Sequence, residues 1–266
     1  MKIVMLVACH KPCRVPADPM YYPIQVGSAG KQKIEQFHQD DTGINISSEN
    51  DRYCELTGLY WAWKNMDCDY LGLVQYRRYF SEGKTDRKDP LESVLTQKQT
   101  EQILKDHRII IPRKRRYYIE TIYSHYSHTF SQKQLDEVRK VIESSAPDYL
   151  CDFDSYMHQT WGYMFNMFLM PKKLCDQYCE WLFPLLEQLD ARIDTSEMTA
   201  FEKRFLGRVS ERLFDVWLFH QIRTDEIRKE EIYECRYMYT AKVNKLRKVT
   251  GFIEAKLFHK KYTESF

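Results

Sequence analysis

The stretch over residues 55–80, ELTGLYWAWKNMDCDYLGLVQYRRYF, decides how the rest of the chain is interpreted. It predicts an aromatic-rich helix, a short acidic turn and a buried strand over Tyr70–Gln75 that runs into Arg77 and Arg78. Ligands of open α/β sheets bind at the carboxyl ends of strands, and guanidinium groups pair with anions. The stretch therefore predicts an anion-binding site at the end of this strand.

The two arginines suit two different tasks. A guanidinium grips phosphate oxygens in a bidentate way, so one arginine can neutralise a departing diphosphate. The other can pair with a carboxylate such as Glu55 and brace the fold. We expect Arg77 and Arg78 to take one role each, and the sequence leaves open which takes which.

Other apolar runs predict buried strands at 3–8 (IVMLVA), 108–112 (RIIIP) and 161–170 (WGYMFNMFLM). The first run is followed by His10 and Lys11, so polar side chains also stand at the end of a second strand. Helical patterns lie between the strands, and this alternation predicts an α/β fold with a mostly parallel sheet flanked by helices. Inside the last run, a buried Asn166 needs hydrogen-bond partners, as a structural pin or a ligand contact.

The composition limits the function classes. The 266 residues are enough for one large domain, and 40 basic against 38 acidic residues give a net charge of +2. No overall positive field draws the chain to nucleic acid, so no nucleic-acid partner is expected. The eight cysteines lack metal-site or disulfide spacing, which favours a cytoplasmic protein, and no apolar run is long enough to cross a membrane.

An acidic pair, Asp67 and Asp69, has the D-x-D spacing with which two carboxylates hold a divalent ion, Mn or Mg, against a diphosphate. The pair precedes the strand, however, and so stands at the opposite end from a substrate in such sheets. We expect a turn there and keep both residues as weak metal candidates. Dependence on a divalent metal stays open.

The segment 236–266 predicts a basic, amphipathic helical tail after a main domain over 1–235. Its lysines and arginines suit peripheral contact with an anionic membrane at the inner face of the plasma membrane. A helix docked on the domain fits the same pattern equally well.

Several motifs together resemble a bacterial family long catalogued as a domain of unknown function. This family occurs in capsular polysaccharide and O-antigen gene clusters and includes galactofuranosyltransferases. The resemblance runs in order from the first strand to about His220. It is carried by 4–10 (VMLVACH), 41–47 (DTGINIS), 54–65 (CELTGLYWAWKN), 76–80 (YRRYF), 166–168 (NMF), 178–183 (YCEWLF) and 211–213 (ERL).

The resemblance implies a GT-A-like, Rossmann-type fold and an inverting hexosyltransferase. The expected donor is a UDP-sugar, UDP-galactofuranose or UDP-galactose, and no further cofactor is firmly implied. The expected acceptor is a hydroxyl of a growing, lipid-linked glycan. Among the catalytic residues, Glu211 is implied as the base and Arg77 or Arg78 as the group that stabilises the departing UDP.

The resemblance also implies binding residues. Those for the donor are Ala8, His10, Lys11, Gly27, Asp41, Asn45, Glu55, Tyr60, Trp63 and Tyr76. Those for the acceptor are Tyr126, His128 and Asn166.

Two other function classes remain open at this level. A non-catalytic module could bind nucleic acid or anionic lipid through the basic run 113–116 (RKRR) and the tail. Another nucleotide-dependent transferase would share the fold but would need well-placed metal carboxylates.

Overall fold

The computed structural model describes residues 1–83, 86 and 88–240. In this part of the chain the strands are β1 (Ile3–Cys9), β2 (Tyr21–Gln25), β3 (His38–Gln39), β4 (Tyr70–Gln75), β5 (Arg78–Phe80), β6 (Ile109–Pro112), β7 (Arg115–Arg116), β8 (Trp161–Gly162), β9 (Phe168–Pro171), β10 (Ile232–Cys235) and β11 (Tyr237–Tyr239). The helices are α1 (Asn50–Tyr53), α2 (Leu56–Asn65), α3 (Gln97–Ile103), α4 (Ile122–Thr129), α5 (Gln132–Ser145), α6 (Leu150–Met157), α7 (Lys172–Arg192), α8 (Ala200–Lys203) and α9 (Phe205–Arg223). The α/β class is confirmed.

The main sheet has the order β10-β6-β9-β4-β1-β2-β3, with β5 and β11 attached beside β4. β1 is parallel to β2 and β4, and β2 is parallel to β3. β9 is antiparallel to both β4 and β6, so these two are parallel to each other, and β10 is parallel to β6. The carboxyl ends of β1, β2, β4, β6 and β10 therefore share one edge of the sheet, called here the carboxyl edge.

Burial explains why the apolar runs form central strands. All seven residues of β1 are buried, which requires cover on both faces because successive side chains point to opposite faces. On one of the faces, Phe168 of β9 stacks on Phe214 of α9 at 5.4 Å, and Tyr178 of α7 meets Phe214 edge-on at 5.4 Å. These rings fix α7 and α9 against the sheet, and α9 thereby reaches the carboxyl edge.

The predicted strand over 161–170 is wrong in its extent. The structure divides it into β8 and β9, because Phe165 and Asn166 between them adopt positive φ angles of 87° and 51°. Residues other than glycine rarely adopt such angles, and no apolar pattern indicates them. The break turns the chain at the carboxyl edge immediately before β9 begins.

The tract 117–130, which has no evident period in the sequence, contains the helix α4. Its buried residues Ile122, His125, Tyr126 and Thr129 have helical spacing, but two of the four are polar and so hide the pattern. Thr121 begins the helix with a capping box to Ser124.

The predicted tail lies almost entirely outside the described residues. Within 236–240, β11 pairs antiparallel with β5, so the chain belongs to the main sheet up to Tyr239. The remainder of the predicted tail, 241–266, is not among the described residues. No helix in the described ranges is both long and apolar enough to cross a membrane.

Candidate active site

Three segments that are far apart in sequence meet at the carboxyl edge. His10 and Lys11 follow β1, Tyr76 and Arg77 follow β4, and Arg204 precedes α9. β1 and β4 are neighbouring parallel strands, and the Tyr76 amide donates a hydrogen bond to the carbonyl of Ala8 at 3.2 Å. The polar ends of the two strands are thereby held side by side.

The Tyr76 ring lies at the centre of this group. His10 contacts it edge-on with a centroid distance of 5.1 Å, and the Lys11 Nζ lies 5.9 Å from its centroid. The Arg77 Cζ is 5.1 Å from the same centroid, and Arg77 Nε donates to Tyr76 Oη at 2.6 Å. Two basic side chains therefore share one aromatic surface at the end of β4.

The electrostatics of His10 show how positive this place is. Burial lowers the pKa of His10 below its usual value, and the positive charges of Arg77, Lys11, Arg204 and Lys31 lower it further. We call Lys11, Lys31, Arg77 and Arg204 the cation cluster. Among the described residues, no carboxylate forms an ion pair within 4.0 Å with any of the four. Arg204 Nε donates to Cys54 Sγ at 3.2 Å, so the partners of the cluster in this part of the chain are uncharged groups or rings, and an anionic ligand can bind without first breaking an ion pair to a described carboxylate.

Glu55 lies next to the cation cluster, immediately before α2. Its Oε1 accepts hydrogen bonds from Gln75 Nε2 at 2.8 Å and from Asn166 Nδ2 at 3.0 Å. Desolvation raises the pKa of this carboxyl above the usual glutamate value, and the negative charge of Glu211 adds to the rise. A carboxyl that two amides hold in place and whose pKa is raised is suited to accept a proton.

Asn166 is a structural pin for this carboxyl. Its Nδ2 donates to Glu55 Oε1 and to the Gly207 carbonyl at 3.1 Å, and its Oδ1 accepts from Ser210 Oγ at 3.1 Å. The side chain thus ties the start of β9 to α2 and α9. Its amide is fully engaged within the protein, so we do not assign it to the acceptor.

Glu211, the expected base, lies on α9. The helix begins at Phe205, which places Glu211 in its second turn. Its carboxylate accepts from Arg212 Nη1 at 2.8 Å, and its charge acts on Glu55. Both carboxylates therefore lie at the carboxyl edge, and they differ in that Glu211 is paired with an arginine.

The two arginines after β4 occupy different surroundings, as expected. Arg77 is exposed. Arg78 lies on β5 between two rings, 3.8 Å from the centroid of Phe165 and 5.2 Å from that of Tyr239, and its Nη1 donates to Gln75 Oε1 at 2.9 Å. The structure assigns the bracing role to Arg78, with Gln75 as its partner in place of the expected carboxylate.

Two of the predicted donor residues follow neighbouring strands, Gly27 after β2 and Asp41 after β3. The Gly27 amide donates to the buried carboxylate of Asp40 at 2.7 Å, and its φ of +64° suits glycine. A Cβ at Gly27 would lie 2.4 Å from the Cβ of Asn50, so only glycine fits. Asp41 forms an ion pair with Lys33, whose hydrogen bond lowers the pKa of Asp41.

Ala8 and Asn45 serve the backbone in this structure. Ala8 is buried in β1, and its carbonyl holds the Tyr76 amide. Asn45 uses its side chain within its own loop: Nδ2 donates to the Gly43 carbonyl at 2.9 Å, and Oδ1 accepts from the Ser47 amide at 3.2 Å. Neither side chain contacts the cation cluster.

Tyr60 and Trp63 are not brought to the site. Both pack on Phe183 of α7, with centroid distances of 4.9 and 5.6 Å. The Trp63 carbonyl also accepts from Lys172 Nζ at 3.3 Å, and Lys172 follows the end of antiparallel β9, at the edge opposite the carboxyl edge. The helix α2 begins at the site with Glu55 and carries its aromatic residues away, so we remove both from the donor set.

The predicted acceptor residues of α4 also lie apart from the cluster. Tyr126 is fully buried and donates to Gln134 Oε1 at 2.6 Å, so it has no surface to offer an acceptor. His128 is partly exposed, and its Nδ1 lies 2.7 Å from Oε1 of the buried Glu120. The same carboxylate holds His125 Nδ1 at 3.0 Å through its other oxygen.

Asp67 and Asp69 lie at the start of β4, across the sheet from the cation cluster. Asp69 accepts the Lys2 amide at 2.6 Å through Oδ2. In the described ranges, no group of three or more histidine, cysteine, aspartate or glutamate side chains could hold a metal ion. At the end of β4 the side chains are cations, which fit an anion directly and do not fit a divalent ion.

Sequence reasoning missed three residues of this site. Arg204 and Lys31 belong to loops, and their positions near His10 depend on the whole fold. Of the two, only Arg204 had a signal in the sequence, because it stands directly before a helix. Gln75, the last residue of β4, was visible as a polar residue at the carboxyl end of a buried strand. It links Arg78 to Glu55 through its side-chain amide.

Comparison with known proteins shows the family to which this chain belongs. The model of the family described as a domain of unknown function (DUF4422) matches residues 4–222. The chain belongs to this family. Family membership as predicted is thus confirmed, and the matched residues include the whole cation cluster and both carboxylates.

A solved structure is similar over nearly the whole chain. It is the apo structure of a protein described as the bifunctional glycosyltransferase WbbM, with 27% sequence identity and a TM-score of 0.81 over 91% of this chain. The chain spans less than half of that protein, covering 46% of it. The fold of this DUF4422 chain is therefore GT-A-like, as predicted. No curated protein matches the chain.

Proposed function

We propose that this chain is an inverting glycosyltransferase that moves a hexosyl residue from a UDP-sugar to a hydroxyl of a growing surface glycan. UDP-galactofuranose or UDP-galactose is the proposed donor, and a lipid-linked saccharide of capsular or O-antigen type is the proposed acceptor. The proposed location is the cytoplasmic side of the membrane. The similarity to a bifunctional glycosyltransferase supports the reaction class.

One observation carries this proposal: the cation cluster lies at the carboxyl edge around the end of β4, and no described carboxylate forms an ion pair within 4.0 Å with any of its members. Such a cluster can act on a nucleoside diphosphate at two stages. In the ground state, the cations bind the phosphate oxygens. When the sugar departs, the negative charge on the diphosphate grows, which strengthens each of these contacts in the transition state. In the proposed complex, the cations lie where the negative charge of the leaving diphosphate develops.

The reaction we propose is a single displacement. The acceptor hydroxyl oxygen attacks the anomeric carbon while the bond from this carbon to the β-phosphate oxygen breaks. The bonding electron pair leaves with UDP, whose added charge Arg77, Arg204, Lys11 and Lys31 stabilise. The hydroxyl proton passes to a carboxylate, and attack from the face opposite UDP inverts the anomeric configuration.

We assign the base to Glu55 in preference to Glu211. Glu55 has a raised pKa and keeps Oε2 free of hydrogen bonds from the described residues. Glu211 is already paired with Arg212. Two carboxylates in different environments commonly divide acid–base and electrostatic tasks in this way.

A non-catalytic binding module explains less of the site. It gives no reason for a carboxyl with a raised pKa beside unpaired cations. A metal-dependent nucleotidyltransferase would need carboxylates at the end of β4, where the residues are Gln75, Tyr76 and Arg77.

The test is a UDP-release assay over a panel of UDP-hexoses, including the furanose form, with a lipid-linked acceptor, each with and without chelator. We expect one galactose-type donor to be turned over and its rate to be insensitive to chelator. Failure to release UDP from any donor would overturn the proposed function. Loss of turnover with chelator would overturn the role of the cations as the replacement for a metal.

A further inference from the structure

The basic run 113–116 has no part in the proposed chemistry. It follows the carboxyl end of β6 and contains β7, which pairs with β8. Because β6 is parallel to β4, the run emerges at the carboxyl edge. The run and the cation cluster therefore lie at the same edge of the sheet. We call the segment 113–119 the basic tip.

The basic tip ends in two exposed apolar side chains. Tyr118 is 81% exposed and Ile119 is 70% exposed, more than any other large apolar side chain of the described residues. Single exposed apolar residues are common on soluble proteins. Two in succession, within six residues of three exposed arginines, are unusual and indicate a surface that has a partner.

The backbone holds these side chains in place. The Tyr117 amide donates to the Thr160 carbonyl at 2.7 Å, and the Ile119 amide donates to the Tyr117 carbonyl at 2.7 Å. Between them, Tyr118 has a φ of +59°, in the left-handed region. Tyr118 and Ile119 thus project from a tight turn, and the backbone of Tyr117 anchors this turn to Thr160, immediately before β8.

Three of the four charges of the basic tip form no ion pair within the described part of the chain, although Arg115 Cζ lies 5.1 Å from the ring centroid of Tyr117. Arg113, Arg115 and Arg116 are exposed, and none forms an ion pair within 4.0 Å with a described residue. Lys114 pairs with Glu234 at 3.0 Å. The next acidic residue, Glu120, is buried. The tip therefore presents three positive charges beside two apolar side chains.

We propose that the basic tip docks on the surface of an anionic lipid bilayer. Tyr118 and Ile119 enter the headgroup region, where a tyrosine keeps its hydroxyl hydrated and its ring in apolar surroundings. The arginines contact the lipid phosphates. An isoleucine side chain gains from insertion into lipid but has no ring on which a nucleobase can stack, which favours lipid over nucleic acid.

Docking in this way turns the carboxyl edge toward the bilayer. If the proposed transfer to a lipid-linked acceptor is correct, the cation cluster and Glu55 then face the bilayer in which that acceptor lies. This consequence rests on the proposed function, whereas bilayer binding itself does not. A vesicle experiment therefore tests the tip even if the chain transfers no sugar.

The test is sedimentation of the full chain with phosphatidylcholine vesicles that contain or lack phosphatidylglycerol. We expect the double variant Arg115→Gln/Arg116→Gln to lower the partition coefficient on the anionic vesicles roughly 25-fold, at about fivefold per basic residue. We expect Tyr118→Ser/Ile119→Ser to lower it as well, and to abolish residual binding to neutral vesicles. Residues 241–266 are present in every variant, so their contribution cancels.

Two matched controls separate the tip from general effects. Ile44→Ser removes another exposed isoleucine, 60% exposed, beside Asn65 at the far end of α2. Lys98→Gln/Lys105→Gln makes the same charge change on and after α3, at the edge where β6 begins. Both controls are expected to partition like wild type.

Two results would overturn the proposal. One is wild-type partitioning of both tip variants. The other is unchanged vesicle binding together with lost affinity for a single-stranded RNA oligonucleotide or a water-soluble acceptor glycan, which would identify another partner. All four side chains are exposed, so unchanged thermal melting is the expected control for folding.

Discussion

Charged residues lie at both ends of β4, but their surroundings differ. At its start, Asp69 accepts the Lys2 amide, and the neighbouring Lys172 pairs with Asp176 at 2.6 Å. At its end, Arg77 and Lys11 share the face of Tyr76 with no carboxylate partner among the described residues. The D-x-D motif stands at the start of the strand, whereas the cations that lack a carboxylate partner among the described residues stand at its end. The position on the sheet and the missing partners, more than the motif, mark the site.

The difference has a physical basis. Like charges gathered at one place repel each other and destabilise the folded chain, unless a ligand of opposite charge is bound. At the start of β4, Asp69 accepts a backbone amide and Lys172 is paired with Asp176, so no ligand is needed to offset a group of like charges there. The comparison therefore predicts that substitutions at the end change chemistry and binding, whereas substitutions at the start change only stability.

The largest expected effect is that of Glu55→Gln. Loss of a general base lowers kcat by roughly 100- to 10,000-fold. The wild-type rate should rise with pH through the raised pKa of Glu55, because only the ionised form accepts the proton, and the variant should lose this limb of the profile. The measurement is kcat across a pH series. The control is Glu211→Gln, and a larger loss in that variant would move the base to Glu211.

A somewhat smaller effect is expected for Arg77→Ala. Removing one charge-assisted contact to the leaving group lowers kcat/KM by about 100-fold, with little change in the free energy of unfolding, because Arg77 is exposed. Arg78→Ala should instead lower the free energy of unfolding by about 2 kcal/mol, since this side chain packs between Phe165 and Tyr239. Steady-state kinetics and urea unfolding of both variants check the contrast. Equal effects would contradict it.

The smallest effect is expected at the start of the strand. Asp69→Asn weakens the hydrogen bond to the Lys2 amide and should lower the free energy of unfolding by about 1 kcal/mol. Turnover and its response to added Mn²⁺ or Mg²⁺ should match wild type. Strong loss of turnover in this variant would mean that the acidic pair serves the reaction after all.

The sequence indicated those parts of the fold that depend on continuous apolar runs. β1 and β4, and with them Lys11 and Arg77, follow from buried strands whose ends carry polar residues. α4 was hidden because His125 and Thr129 occupy buried positions of its helical face. The break before β9 was hidden because it depends on positive φ angles at residues other than glycine.

The site was predictable only where it is local to one strand. Arg204 joins the cluster from a segment more than a hundred residues after β4, so its place is a product of the tertiary fold. Tyr60 and Trp63 were expected at the site with Glu55 because all three lie in one motif of the family resemblance, 54–65. The helix α2, about 15 Å long, carries the two rings toward the other edge of the sheet.

The most direct test of the central claim is calorimetric titration of UDP into wild type, Arg77→Ala, Arg204→Ala and Asp69→Asn. The cation cluster predicts that wild type and Asp69→Asn bind UDP alike, and that each arginine variant raises the Kd about tenfold or more. No UDP binding by wild type, or equal binding by all four proteins, would contradict the assignment of the end of β4 to the nucleotide diphosphate.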